Sequence, residues 1–173
     1  RGRSRSHVKP TANFSPRQIL HAGVAYVPQG RNIFPELSVR HNLELGGVAL
    51  ADQASLPARM EKIMDRFPMI REKGNAQAST LSGGQQKMLE VARGLLLDPK
   101  LMLIDEPSIG LSPMKVQEVF GILKDLRAKG VTILMNEQNA TQPLQLSHYC
   151  LVPEHGLTRT QDPATCCCHT ARS

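Results

Sequence analysis

Leu101-Met102-Leu103-Ile104 is an unbroken apolar run, and it limits the fold of this chain more than any other feature. A strand that is apolar at every position is covered on both faces, as strands of parallel sheets are. The flanking sequence completes the pattern. Upstream, Met88, Leu89, Ala92, Leu95 and Leu96 recur at helical spacing from Gly84, and Asp98-Pro99 closes that helix. Downstream, Ser112 is an N-cap with Pro113 at the first helical position, and Val116, Val119, Phe120, Leu123 and Leu126 form an inward stripe. Gly130 supplies the stop, and a second buried strand follows at 131–135.

The remainder fits the same alternation. Gly23-Val24-Ala25-Tyr26-Val27 reads as a short strand halted by Pro28-Gln29-Gly30. Ser38 caps a helix through Leu43, Leu45 and Val48, although His41 stands where a capping box would place Glu or Gln. Pro57 opens another helix with Met60, Ile63, Met64 and Phe67 on one face, and Pro68 ends it. Residues 71–80 read as a polar loop, 140–146 as a helix and 149–152 as a short strand. The expectation is an α/β fold in which a parallel sheet carries a small helical subdomain. The domain spans 23–155, with the subdomain at about 38–97. Residues 1–22 are weakly patterned, and 156–173 are expected to be a disordered or aberrant tail.

Bulk properties exclude several classes. No apolar stretch approaches the ~20 residues that cross a bilayer, and the arginine-rich start lacks the apolar segment of a secretory signal. Of the net charge of +6, Arg1, Arg3 and Arg5 supply half, and aromatic content is 3%. Few stacking platforms and scattered charge argue against nucleic acid as a partner. Cys150 is a lone, buried-type thiol. Cys166-Cys167-Cys168-His169 lacks the C-x₂₋₄-C spacing of a zinc site, so no metal is assigned there.

Two segments carry chemistry. Leu81-Ser82-Gly83-Gly84-Gln85 sets a hydroxyl and bare glycine backbone at a helix start, where free N–H groups and the helix dipole suit a phosphate. Asp105 and Glu106 end the apolar strand, where one acid can serve Mg²⁺ and the other a water. Each segment read alone is also a capping turn or a solvated Asp-Glu-Pro turn. Their order and spacing argue for more. Gln29 can offer an amide to metal or water, and is otherwise a polar turn residue. Gln138 can hydrogen-bond a phosphate but does not titrate near neutral pH. Asn136, polar inside an apolar strand, reads as a structural weakness.

With these motifs in this order, the chain from Phe14 to Val152 resembles the distal part of an ABC transporter ATP-binding subunit. The phrases Tyr26-Val27-Pro28-Gln29-Gly30-Arg31-Asn32-Ile33-Phe34-Pro35 and Asn136-Glu137-Gln138-Asn139-Ala140 are most similar to the branched-chain amino-acid importers. The resemblance implies a P-loop NTPase-like sheet, here an incomplete ABC ATPase core. It also implies ATP and Mg²⁺ as ligands. Ser82, Gly83, Gly84 and Gln85 match the signature that grips the γ-phosphate of ATP held by a second ABC ATPase subunit. Asp105 matches the magnesium acid, Glu106 the acid that orients or deprotonates water, and Gln29 the residue that meets metal and senses a transmembrane permease. Gln138 takes the switch position, and Ser108-Ile109-Gly110-Leu111 follows as the loop that crosses the dimer interface. The implied location is cytoplasmic, peripheral on the inner face of the membrane through the permease.

One motif is missing. G-x-x-x-x-G-K-[ST], the cradle for β- and γ-phosphates, occurs nowhere in the 173 residues. Only 22 residues precede Gly23, and a βαβ unit takes ~30 or more. A truncated or frame-shifted copy is therefore expected, with weak ATP binding of its own, an exposed apolar sheet face and poor solubility. The rival reading is a non-hydrolytic module that lends its signature to a partner's ATP. A third reading, a DNA-associated ABC ATPase, is disfavoured because the interval from Gln29 to Leu81 is too short and too rich in Gly and Pro for long coiled coils.

Overall fold

The computed structural model describes residues 13–30, 32–138, 141–154 and 157–163. Three parallel strands, β1 (Val24–Val27), β2 (Leu101–Asp105) and β3 (Thr132–Asn136), form a sheet in that order, with β2 central. In register, Val24 faces Leu101 and Leu101 faces Thr132; at the other end Asp105 faces Asn136. Parallel neighbours need long crossovers. The β2–β3 crossover is α6 (Pro113–Ala128), and the β1–β2 crossover contains the helical subdomain and α5 (Gly83–Leu95).

One face of the sheet is packed. Ala25, Val27, Met102 and Ile104 are buried there with Leu89, Ala92 and Leu96 from the α5 segment and Val119, Leu123 and Leu126 from α6. Gly94 lets α5 approach closely: a Cβ there would lie 3.1 Å from Met102 Cε and 3.6 Å from Ala25 Cβ. The opposite face is open. Tyr26, Leu103 and Leu134 share one register row across it, and Tyr26 and Leu134 are each 58% exposed. The sequence implies such an exposed apolar face, but 131–135 read as a buried strand and that reading is corrected: no residue of β3 is fully buried, because nothing among the described residues covers this side of the sheet.

Within the stretch read as the helical subdomain, about 38–97, α2 (Val39–Gly46), α3 (Leu56–Arg66) and α4 (Pro68–Glu72) precede α5 and bury Leu43, Met60, Ile63, Met64, Phe67 and Ile70. Ser38 caps α2 by accepting from the His41 N–H at 3.1 Å. Buried Asn42 donates to Phe34, Leu37 and Ser38 carbonyls and accepts from the Phe34 N–H at 2.8 Å, stitching the preceding segment onto α2. A buried amide satisfied in this way costs little and fixes the chain path.

Several local expectations are corrected. Pro68 ends α3 but also opens α4, since proline suits a first helical turn. The stretch 71–80 is not wholly loop: α4 runs to Glu72, and a 3₁₀ turn at Ala78–Thr80 buries Ala78. Within 1–22, α1 (Pro16–His21) forms behind a Ser15/Gln18 capping box. Ser112 sits at the N-cap of α6 with extended backbone but makes no side-chain cap bond. After α7 (Thr141–Leu146), β4 (Tyr149–Glu154) does not extend the parallel sheet. It pairs antiparallel with β5 (Leu157–Pro163), which lies in the stretch expected to be disordered. Arg31, Asn139, Ala140 and the Cys166-Cys167-Cys168-His169 run lie outside the described residues.

Candidate functional site

In open parallel sheets, ligands meet the carboxyl ends of the strands. Gln29 follows β1, Asp105 and Glu106 end β2, and Asn136 and Gln138 end β3. Glu106 is the focus. Its backbone is left-handed, φ 44°, which is costly for a residue with a Cβ and clusters at functional sites. It is 8% exposed, and its N–H donates to the Asn136 carbonyl at 2.9 Å. Gln29 Nε2 donates to Glu106 Oε2 at 2.9 Å, and Gln138 Nε2 donates to Glu106 Oε1 at 3.2 Å. The buried carboxylate is thus held by an amide on each oxygen, one from the loop after each neighbouring strand.

Asp105 is tied sideways. Asn136 Nδ2 donates to Asp105 Oδ1 at 2.9 Å, so the polar residue that read as a weakness in β3 instead fixes the neighbouring acid. Glu137 accepts from the Ser108 hydroxyl at 2.7 Å and the Ser108 N–H at 3.1 Å, joining the loop after β2 to the loop after β3. Neither contact was foreseen. The Asn136 link had a visible signal, a polar residue at the end of an apolar strand.

Ser82 caps α5 from an exposed position, and a capping box forms: Ser82 Oγ accepts from the Gln85 N–H at 3.4 Å, and Gln85 Oε1 accepts from the Ser82 N–H at 3.0 Å. The Gln85 side chain is therefore spent on the cap and on Lys73 Nζ, 3.3 Å away. Gly84 is buried, and a Cβ there would lie 2.8 Å from Lys115 Cδ and 2.9 Å from Lys115 Cβ. Its lack of a side chain serves packing against α6. Gly83 faces the loop after β2, with Leu111 Cδ2 at 3.4 Å from a built Cβ. That contact brings the glycine-bearing helix start beside the loop that leaves the acids.

Oxygen donors suited to Mg²⁺ are present. Asp105 supplies carboxylate, and Gln29 retains an amide oxygen because its nitrogen serves Glu106. Hard divalent cations take such ligands together with water and phosphate oxygens. No cluster of three or more His, Cys, Asp or Glu side chains able to hold a metal occurs among the described residues. The donor set fits an ion shared with a phosphate ligand.

Beside the loop carrying Gln29 lies a cavity of about 600 Å³, lined by Tyr26, Leu45, Val48, Glu90 and Arg93 among others. The Arg93 guanidinium lies 5.5 Å from the Phe34 ring centroid and donates to the Asn32 carbonyl at 2.6 Å, while its Nε is buried without a partner. Burial lowers the Arg93 pKa, and nearby Glu90 opposes that shift.

A parallel sheet with an acid pair at the end of its central strand, covered on one face by helices, is the P-loop NTPase type of fold. The ABC transporter family model matches residues 3–109, and the chain belongs to that family. It is 42% identical over 138 residues to the high-affinity branched-chain amino acid transport ATP-binding protein BraG of Pseudomonas aeruginosa, covering 80% of this chain and 59% of BraG. It is 31% identical over 144 residues to the lipopolysaccharide export system ATP-binding protein LptB of Escherichia coli K12, covering 79% of this chain and 59% of LptB. Among solved structures, the ADP conformation of MJ1267, an ATP-binding cassette of an ABC transporter, superposes with a TM-score of 0.77 at 27% identity, over 90% of this chain and 66% of that one. The chain spans 59% of the length of each of these two curated relatives.

Proposed function

We propose that this chain is the ATP-binding, ATP-hydrolysing subunit of an ABC transporter, and that its specific task is to energise import of branched-chain amino acids. The observation that carries the reading is Glu106, held in strained backbone at the end of β2 with Gln29 and Gln138 on its two carboxylate oxygens. In this reading Glu106 accepts a proton from, or orients, the water that attacks the γ-phosphate. Asp105 and the Gln29 oxygen would hold Mg²⁺ through water. Once bound, that ion would neutralise charge on the β- and γ-oxygens. Gln138 offers its amide to the same phosphate.

Ser82, Gly83, Gly84 and Gln85 would face ATP held by a second ABC ATPase subunit, with the capping box keeping the helix start rigid. A transmembrane permease would dock at the cavity beside Gln29, where Leu45 and Val48 are exposed next to Arg93. The membrane role proposed, peripheral on the cytoplasmic face through the permease, rests on the likeness to the ABC transporter family; no helix among the described residues is long and apolar enough to cross a membrane. The amino-acid cargo is supported by BraG at 42% identity, whereas LptB, named for lipopolysaccharide export, stands at 31%.

The second reading is a non-hydrolytic module that lends its signature to a partner's ATP, and it is favoured by Ser82, which caps α5 from an exposed position open to a phosphate held by another chain. Calorimetric titration with MgATP separates the two, first on this chain alone and then mixed with complete BraG, with phosphate release followed in parallel. The hydrolytic reading expects release above that of BraG alone, lost in Glu106→Gln. MgATP binding by the mixture beyond the sum of the two separate proteins, with release unchanged by Glu106→Gln, supports the module. Tight ATP binding by this chain alone would overturn the module reading, and a mixture that binds and hydrolyses no more than the sum of the two separate proteins would overturn both readings.

A further inference from the structure

Lys87 and Glu90 form an ion pair inside the protein, Nζ to Oε2 at 2.7 Å, with side chains only 5% and 4% exposed. Neither belongs to the motifs described above. They lie on α5, the helix that Ser82 caps. Burying two charges is expensive, and mutual attraction repays the cost only when the remaining donors and acceptors also find partners. Here those partners are all backbone groups of one loop. Lys87 Nζ donates to the Pro28 and Gly30 carbonyls, both at 3.3 Å, and Glu90 Oε1 accepts from the Asn32 N–H at 2.6 Å.

The two carbonyls bound by Lys87 flank Gln29 on either side. Gln29 in turn delivers its amide to Glu106. If the loop moved away, Lys87 would lose two acceptors and Glu90 one donor, and water would have to replace all three at the uncovered pair. The ion pair and the loop backbone therefore stabilise one another, and displacing the loop carries a cost at both charges.

We propose that Lys87 and Glu90 are positioning residues that fix the backbone on both sides of Gln29, so that the helix opened by Ser82 governs whether the Gln29 amide reaches Glu106. A nucleotide gripped at Ser82 would by this route be sensed at the acid of the same chain. The proposal rests on the reading that Gln29 and Glu106 serve a nucleotide site, but the structural link is testable without any nucleotide.

The test uses the full chain labelled with ¹⁵N. Lys87→Met combined with Glu90→Leu removes both charges together, which spares the fold the uncompensated charge that either single change leaves. Lys87→Arg keeps the charge and serves as the conservative variant. Amide exchange is read at Asn32 and, as an internal reference, at Met102 and Ile104. The Gln29 side-chain amide signal is compared with its position in Glu106→Ala. The expected result for the double variant is Asn32 exchange at least ~10-fold faster, unchanged exchange in β2, and a Gln29 signal moved to its Glu106→Ala position. Lys87→Arg should return all three toward the parent. Unchanged Asn32 exchange and Gln29 signal would overturn the proposal, and so would exchange that rises equally in β2. Failure of the nucleotide reading shows separately, as MgATP binding by the mixture no greater than that of the two separate proteins while this loop linkage remains.

Discussion

Asn136 and Asp105 are the terminal cross-strand pair of the parallel sheet, and their side chains are hydrogen-bonded at 2.9 Å. A carboxylate at the end of a strand has free rotamers unless a neighbour holds one. Asn136 holds this one, and its carbonyl also receives the Glu106 N–H. Asn136→Val keeps the backbone contact and removes the side-chain donor. Fold stability should change by less than ~0.5 kcal/mol, since the site is exposed and valine favours strands. Metal affinity of the nucleotide complex should fall about tenfold, as when an outer-shell partner of a ligand is lost. Mn²⁺ titration followed by electron paramagnetic resonance checks the second value, and urea unfolding the first.

Glu106→Gln replaces a carboxylate that accepts two amide donors with a group that offers a donor of its own. In the complex with a complete subunit, the phosphate release above that of the complete subunit alone should fall by about 10²–10⁴-fold while nucleotide affinity stays within about threefold. Single-turnover kinetics with calorimetry separates the two. Equal losses in both would show that Glu106 acts in binding rather than in proton transfer.

Two glycines in neighbouring helices should respond oppositely to alanine. At Gly84 the new Cβ meets Lys115 Cβ at 2.9 Å, close to backbone that cannot swing aside, so Gly84→Ala should destabilise by ~1–3 kcal/mol. At Gly121, inside α6, nothing lies within 4 Å, so Gly121→Ala should stabilise by ~0.5–1 kcal/mol. Urea midpoints of the two variants against the parent are the measurement.

The open sheet face should drive self-association. Exchanging Tyr26 and Leu134 for threonine removes the two most exposed apolar groups of the Tyr26, Leu103, Leu134 row while keeping strand-favouring side chains. Sedimentation velocity should show less aggregate in the double variant, with the unfolding midpoint little changed.

The sheet and the acids were legible because a continuous apolar run followed by Asp105 and Glu106 leaves few alternatives. Ser82 was legible as a cap because Gln85 stands three residues on. The buried ion pair was not, since Lys87 and Glu90 at a spacing of three look like a solvated helix face until a loop from elsewhere covers them. The short helix α1 was missed although Ser15 and Gln18 spell its capping box, because no apolar stripe follows. β4 was legible as a short strand at 149–152, but its partner β5 was missed because polar residues such as Thr158, Arg159, Thr160 and Gln161 carry no core-facing pattern. Pairing between backbones made that strand.

Left-handed backbone at position 106 also sets a direction for sequence drift. Glycine or asparagine would occupy that geometry more comfortably than glutamate, by ~1 kcal/mol or more. A lineage selected for thermal robustness alone would exchange the acid early, so the identity of this residue among descendants of the chain reports whether its chemistry is still in use.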